Sequence, residues 1–317
     1  MNAKTPLPLA RPPAGSPPGS ARRWRPTPLI TGTIAVHAGA AAALIAQPAC
    51  WPYAAGAVAA SHAVLTAAGL WPRSAWLGPN WTSLPDGDCI GERREIAITI
   101  DDGPDPDVTP RVLDLLDRYE AHATFFCIGE TARRYPSIVE AIVTRGHAVE
   151  NHSQHHRHYF SLLGPRGLQR EIEAAQYTLT ELSGTVPLFF RAPAGLRNPF
   201  LEPVLCRLGL QLASWTRRGF DTRTSSASVV AKRLLDGLAP RDILLLHDGH
   251  AARDMQGRAV VLEALELVLR AARDAQLRCT TLRDAIAHAS ETTATQTVAK
   301  TAGPHSYEVH RHPDQLL

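Results

Sequence analysis

Apolar and polar positions divide the chain into two regimes. From Pro26 to Pro72 there is no Asp, Glu, Lys or Arg. This charge desert splits at Gln47-Pro48-Ala49 into two apolar stretches, about 28–46 and 51–71. Each is close to the ~20 residues that a bilayer-crossing helix needs. From residue 92 onward, short apolar runs alternate with segments whose apolar residues recur at helical spacing, such as Val112, Leu115, Leu116 and Tyr119. The pattern predicts strands at 95–100, 123–128, 147–150, 188–191, 211–215, 243–247 and 277–280. It predicts helices at 109–119, 130–145, 167–182, 199–208, 227–238, 258–274 and 282–288. Repeated strand–helix alternation implies a parallel sheet covered by helices, either open or closed as a barrel.

The expected organisation is therefore a disordered basic leader (1–27), two transmembrane helices (28–72), a linker (73–91), an α/β domain (92–289) and a disordered polar tail (290–317). Trp51, Trp71 and Trp76 lie where interfacial aromatics anchor span ends. Arg22, Arg23 and Arg25 precede the first span and Arg73 follows the second. The positive-inside rule then puts both flanks, and the α/β domain, on the cytoplasmic side of a bacterial inner membrane. If only one stretch spans, that domain is external or periplasmic. A buried soluble hairpin and a cleaved signal peptide are the remaining alternatives.

Composition changes this picture little. The 317 residues carry a net charge of +3, and Lys4, Arg11, Arg22, Arg23 and Arg25 of the leader account for much of the excess. No nucleic-acid partner is expected, and no protein partner is evident. The five cysteines form no CxxC pair, and Cys127 and Cys279 read as buried free thiols.

Candidate chemistry gathers just after the strands, where parallel α/β folds place their active sites. Asp101-Asp102-Gly103-Pro104 follows the first strand. Adjacent carboxylates repel unless a cation or hydrogen bonds compensate, although an Asx turn before Pro104 would also use them. His152 and His156 follow the third strand, at the spacing that puts two imidazoles on one helical face. Two imidazoles and a carboxylate with open positions would make a catalytic metal site. Arg191 closes an apolar strand and needs a carboxylate partner if buried. Trp215, with Asp221 six residues on, and His247 end later strands.

Taken in order, Asp-Asp-Gly-Pro, His-x3-His, Arg-x-Pro-x-Gly and Leu-x-x-His resemble the motifs of the polysaccharide deacetylase family, carbohydrate esterase family 4, over about residues 92–288. The resemblance implies a distorted (β/α) barrel with fewer than eight full repeats. It implies that Asp102, His152 and His156 bind a divalent metal, typically Zn2+ with Co2+ as a substitute. It makes Asp101 the general base, oriented by Arg191, and His247 the general acid, tuned by Asp221. The Ala194 N–H would help hold the oxyanion, and Trp215 would flank the substrate. The implied substrate is an N-acylated amino-sugar glycan: a polysaccharide, an oligosaccharide or a lipid-linked sugar. Formyl removal from a lipid-linked sugar and a catalytically inactive, membrane-tethered sugar-binding protein are the alternatives. The sequence departs from the family pattern at Ile100, Ala194, Arg218 and Thr222, so the acyl pocket and sugar groove are not carried over.

Overall fold

In the computed structural model, residues 22–85 and 94–287 are described. Most of the expected leader, Cys89 and the tail at 290–317 lie outside them. Two long apolar helices come first, α1 (Pro28–Ala46) and α2 (Trp51–Leu70). A 3-10 turn at Pro48–Cys50 joins them. Both are long and apolar enough to cross a membrane, and α1 buries no residue. The pair folds back on itself as a hairpin, with His37 Nε2 3.2 Å from His62 Nε2 near the middle of the two helices.

The rest is a curled parallel sheet with helices on its convex side. In chain order it contains β1 (Glu95–Asp101), α3 (Thr109–Arg118), β2 (Ala123–Cys127), α4 (Gly129–Arg134), α5 (Pro136–Thr144) and β3 (Ala148–Asn151). Then follow α6 (Pro165–Ser183), β4 (Phe189–Phe190), α7 (Leu201–Leu208), β5 (Gln211–Leu212) and β6 (Arg217–Arg218). It closes with α8 (Ala227–Leu235), β7 (Ile243–His247), α9 (Val260–Asp274), β8 (Arg278–Cys279) and a helical run over 282–287. The strand order is β5-β4-β3-β2-β1-β7-β6, with β8 also on β1, and every strand pair is parallel. This is the expected α/β half-barrel preceded by an apolar helical hairpin.

Period-two alternation sorts the strand side chains. Ile96, Ile98 and Ile100 of β1, with Leu244 and Leu246 of β7, join Val112, Leu116, Leu265 and Val268 under the helices. Ala97, Phe126, Phe189, Ile243 and Leu245 fill the concave side. Thr99, Asp101 and His247 share that concave parity, so the sheet's own pleat delivers polar groups to its interior end.

Several local expectations change. The helix predicted at 130–145 is two, because Pro136 cannot donate to the preceding turn and starts α5 afresh. The strand at 188–191 shrinks to two residues, and that at 211–215 stops at Leu212. An unforeseen strand, β6, pairs with β7. The described part of the segment expected as a linker, 73–85, is packed in place: Leu77 and Leu84 are buried, Trp81 bridges Ala213, and Ser83 bridges Asp242. Cys127, Cys206 and Cys279 are buried free thiols.

Candidate active site

Strand register brings the reactive groups together. Asp101 ends β1 directly opposite His247, which ends β7. Asp102 then leaves the strand in the left-handed region, at φ 75°. An extended Asp102 would point away from Asp101; the left-handed turn swings it back into the same pocket. Close approach of the backbone permits this only because residue 249 is glycine, where a Cβ would lie 2.3 Å from the Asp102 carbonyl oxygen.

Asp102 Oδ1 lies 3.2 Å from both His152 Nε2 and His156 Nε2. The two imidazoles do not share a helical face as their spacing suggested. β3 ends at Asn151, and the chain turns through Ser153 at φ 66° and His156 at φ 47°. The Ser153 N–H donates to Asn151 Oδ1, and the His156 N–H donates to Ser153 Oγ. This polar turn, not a helix, brings the rings together, tilted at 46° with centroids 4.8 Å apart. His152 Nδ1 bonds the Arg191 carbonyl at 2.8 Å, which fixes its tautomer and directs Nε2 at Asp102.

The donor set suits a cation. One ligand atom from each of Asp102, His152 and His156 falls within 4.8 Å of the others. Asp102 Oδ1 is buried and accepts no hydrogen bond. A buried carboxylate oxygen facing two imidazole nitrogens is unsatisfied until a positive charge sits between them. Burial resists ionisation of Asp102, yet the close approach of His152 and His250 and the surrounding imidazole charge hold its pKa well below the usual range. Burial and the neighbouring His152 push His156 down to about 4, so it presents a neutral ring.

Arg191 is fully buried beside this cluster. It donates to Asp101 Oδ1 at 2.7 Å, to Thr99 Oγ1 at 2.8 Å, and to the Ser214 and Ala213 carbonyls at 2.6 and 3.2 Å. Its guanidinium lies 4.1 Å from the Phe126 ring centroid. On the other flank, His247 Nδ1 lies 2.8 Å from Asp221 Oδ1, and the His247 N–H donates to Asp221 Oδ2 at 2.7 Å. Burial pulls His247 down, but Asp221 and then the charges of Asp101 and Asp102 outweigh it and raise its pKa. Ala194 is exposed and left-handed, at φ 55°. Trp215 is buried rather than open, with Gly195 packed between it and Pro72.

Comparison with known proteins places this geometry. The family model for polysaccharide deacetylase matches residues 90–213. A chitooligosaccharide deacetylase of Azorhizobium caulinodans is 37% identical over 181 residues, covering 55% of this chain and 86% of that protein. The chain belongs to the polysaccharide deacetylase family. A peptidoglycan-N-acetylglucosamine deacetylase of Bacillus cereus is 37% identical over 156 residues, covering 49% of this chain and 72% of that protein. Among solved structures, a family 4 carbohydrate esterase from Streptomyces lividans in complex with acetate matches with TM-score 0.53 and 28% identity, over 58% of this chain and 91% of that one. Peptidoglycan deacetylase PdaC from Bacillus subtilis shares the fold, with TM-score 0.57 and 24% identity over 66% of this chain and 97% of that one. As a polysaccharide deacetylase, the chain is a hydrolase of sugar amides.

Several residues of this deacetylase site escaped the sequence reading. Thr99 braces Arg191. Asp248 accepts from Thr109 Oγ1 and the Gly249 N–H, tying the start of α3 to the end of β7. Burial pushes its pKa up to about 7. His250, at φ 60°, brings Nδ1 within 3.6 Å of Asp102 Oδ2. The only signal for these three was adjacency to a motif. Arg218 was visible as a departure from the family pattern, but its surroundings were not.

Proposed function

We propose that the chain hydrolyses the N-acetyl amide of an amino sugar, using a divalent cation, with zinc as the best fit, held by Asp102, His152 and His156. The observation that carries this reading is the convergence of those three donors on a buried, unsatisfied carboxylate oxygen, with Asp101 and His247 paired across the neighbouring strand ends. The relatives named as chitooligosaccharide and peptidoglycan-N-acetylglucosamine deacetylases support N-acetylglucosamine as the sugar.

A cation in that cradle would polarise the acyl oxygen and acidify a water molecule towards pKa ~7. The chain's own residues supply the proton traffic. Arg191 holds Asp101 Oδ1, which leaves Oδ2 as the atom that takes the water proton. Water adds to the acyl carbon, and the Ala194 N–H donates to the oxygen that gains charge. The carbon–nitrogen bond then breaks. The amine leaves poorly without a proton, so His247, held through Nδ1 by Asp221, gives one from Nε2. The products are a carboxylate and a free amino sugar.

The hairpin is read as a membrane anchor. An apolar helix such as α1 with no buried residue needs lipid rather than water around it. Paired spans flanked by Arg22, Arg23, Arg25 and Arg73 keep both ends on the cytoplasmic side. The test is release of acetate or formate from N-acylated amino sugars by the full chain, with metal removed and restored, beside Asp101→Asn. Activity that needs the metal and falls at least a hundredfold in Asp101→Asn is expected. Near-normal turnover by Asp101→Asn, or none with added zinc or cobalt, would remove the reading.

A further inference from the structure

Two features lie outside the chemistry above: one follows β4 and β5, and the other ends β6. The first is the way the hairpin meets the domain. α2 does not end in a free tether. A Cβ at Gly69 would come 2.2 Å from the Arg197 carbonyl oxygen, and the Arg197 N–H donates to the Gly69 carbonyl at 3.2 Å. The Pro72 carbonyl accepts from Ser214 Oγ at 2.7 Å, and Arg73 donates to the Thr216 carbonyl at 3.1 Å. Pro72 also packs on Gly195, one residue from Ala194. The approach to α1 is strapped as well: the Arg22 N–H donates to the Cys206 carbonyl at 3.0 Å, and Thr27 Oγ1 to the Trp76 carbonyl at 2.7 Å. Trp71 and Trp76 stay more than half exposed at this seam. Interfacial aromatics at that position set the depth of the domain. With the anchor so bound, the pocket is held at the bilayer surface and does not reach out on a flexible arm.

The second feature is Arg218. It follows Trp215 by three residues and ends β6. Its guanidinium lies 5.3 Å from the Trp215 ring centroid and 5.0 Å from that of Phe220. Its side chain makes no hydrogen bond or ion pair among the described residues, and its Nε is buried without a partner. Asp101 and Asp221 act on it only through their charge. A half-buried arginine stacked on two aromatics beside the reacting groups, with its donors unused, is built for an anion, and its fork matches phosphate. A neutral N-acetylglucosamine polymer offers it hydroxyl and carbonyl acceptors but no charge to pair with.

We propose that the substrate is an amino sugar joined through a phosphate to a membrane lipid, met at the bilayer surface with the phosphate against Arg218. The proposal rests on the deacylase reading above and narrows its substrate. Water adds to the acyl carbon and the amide bond breaks as before; the phosphate ester is untouched.

The test uses the full chain in lipid nanodiscs, loaded with zinc. Four probes are compared: a polyprenyl-phosphate-linked N-acetylglucosamine in the disc, soluble N-acetylglucosamine 1-phosphate, a soluble glycan containing N-acetylmuramic acid, and neutral chitotetraose. The expected result is kcat/KM at least tenfold higher on the lipid-linked probe than on chitotetraose. Arg218→Gln should raise KM on the lipid-linked probe about 10- to 100-fold, with a smaller effect on chitotetraose. Arg218→Lys should recover part of the loss, and it carries the measurement should the glutamine variant fail to fold. Equal or better turnover of chitotetraose overturns the proposal and leaves the deacylase reading standing. Preference for the muramic acid glycan overturns the lipid source, as does preference for the soluble phosphate. An unchanged KM in Arg218→Gln overturns the role of Arg218. Release from none of the four overturns the deacylase reading as well.

Discussion

Replacing Arg191 by methionine should separate the energetics of the site from its chemistry. Arg191 is 1% exposed, and its guanidinium serves Asp101, Thr99 and the carbonyls of Ala213 and Ser214. Methionine fills much of the volume but leaves the Asp101 charge buried without its partner. Breaking a buried ion pair from one side costs about 3–5 kcal/mol. For a domain of this size each kcal/mol moves the melting temperature by roughly 2–4 °C, so a drop of ~6–20 °C is expected. The companion change Asp101→Asn strands the arginine instead and should also destabilise. Combining the two removes both charges, and the double variant should be more stable than the summed singles by about 1–3 kcal/mol. The assay is thermal unfolding of the metal-free full chain in detergent, followed by tryptophan fluorescence. A loss under about 1 kcal/mol in Arg191→Met, or strict additivity in the double variant, would refute the buried pair as described.

Three further outcomes follow from the same geometry. His247 must carry a proton to act as the acid, and Asp221 raises its pKa, so activity is lost as pH rises through that raised value. Asp221→Asn should move this basic limb of kcat to lower pH, and an unmoved limb would exclude the coupling. His147 is buried, accepts weakly from the Ala123 N–H, and has its pKa pushed by burial down to about 4. The unfolded chain therefore binds a proton that the folded chain refuses. Stability should fall as pH drops from about 6.5 towards 4, by roughly 3 kcal/mol at most, and His147→Leu should flatten that slope in urea titrations. Leu265 on α9 is fully buried against the sheet, so Leu265→Ala should cost about 2–5 kcal/mol in the same titrations; a cost under 1 kcal/mol would mean the helix packs otherwise.

Much of the architecture could be read from the chain because single-sided burial leaves a periodic trace. The Ile96, Ile98 and Ile100 alternation and the spaced leucines of α3 and α9 face one shared core, so both signals were strong. The half-barrel's short strands left almost none. β4, β5 and β6 are two residues each, too short to show a period, and β6 carries two arginines. The helix break at Pro136 was legible from the residue type and was overridden by the apolar spacing on either side. At the site, residue types singled out side chains that the fold brings together, while backbone conformation set the geometry. Asp102, Ser153, His156 and Ala194 all have positive φ without being glycine, and no local propensity announces that. The docking of Gly69 and Pro72 on the domain is a tertiary contact between segments more than a hundred residues apart, invisible to any window.

The account turns on one cation held by Asp102, His152 and His156, and elemental analysis with calorimetric titration measures it directly. Purified full-length protein should bind one equivalent of zinc per chain at this site. Asp101→Asn should retain it, whereas His152→Ala and Asp102→Ala should each weaken it at least a hundredfold. Wild-type protein that takes up no divalent metal, or a His152→Ala variant that binds it as tightly as wild type, would contradict the account.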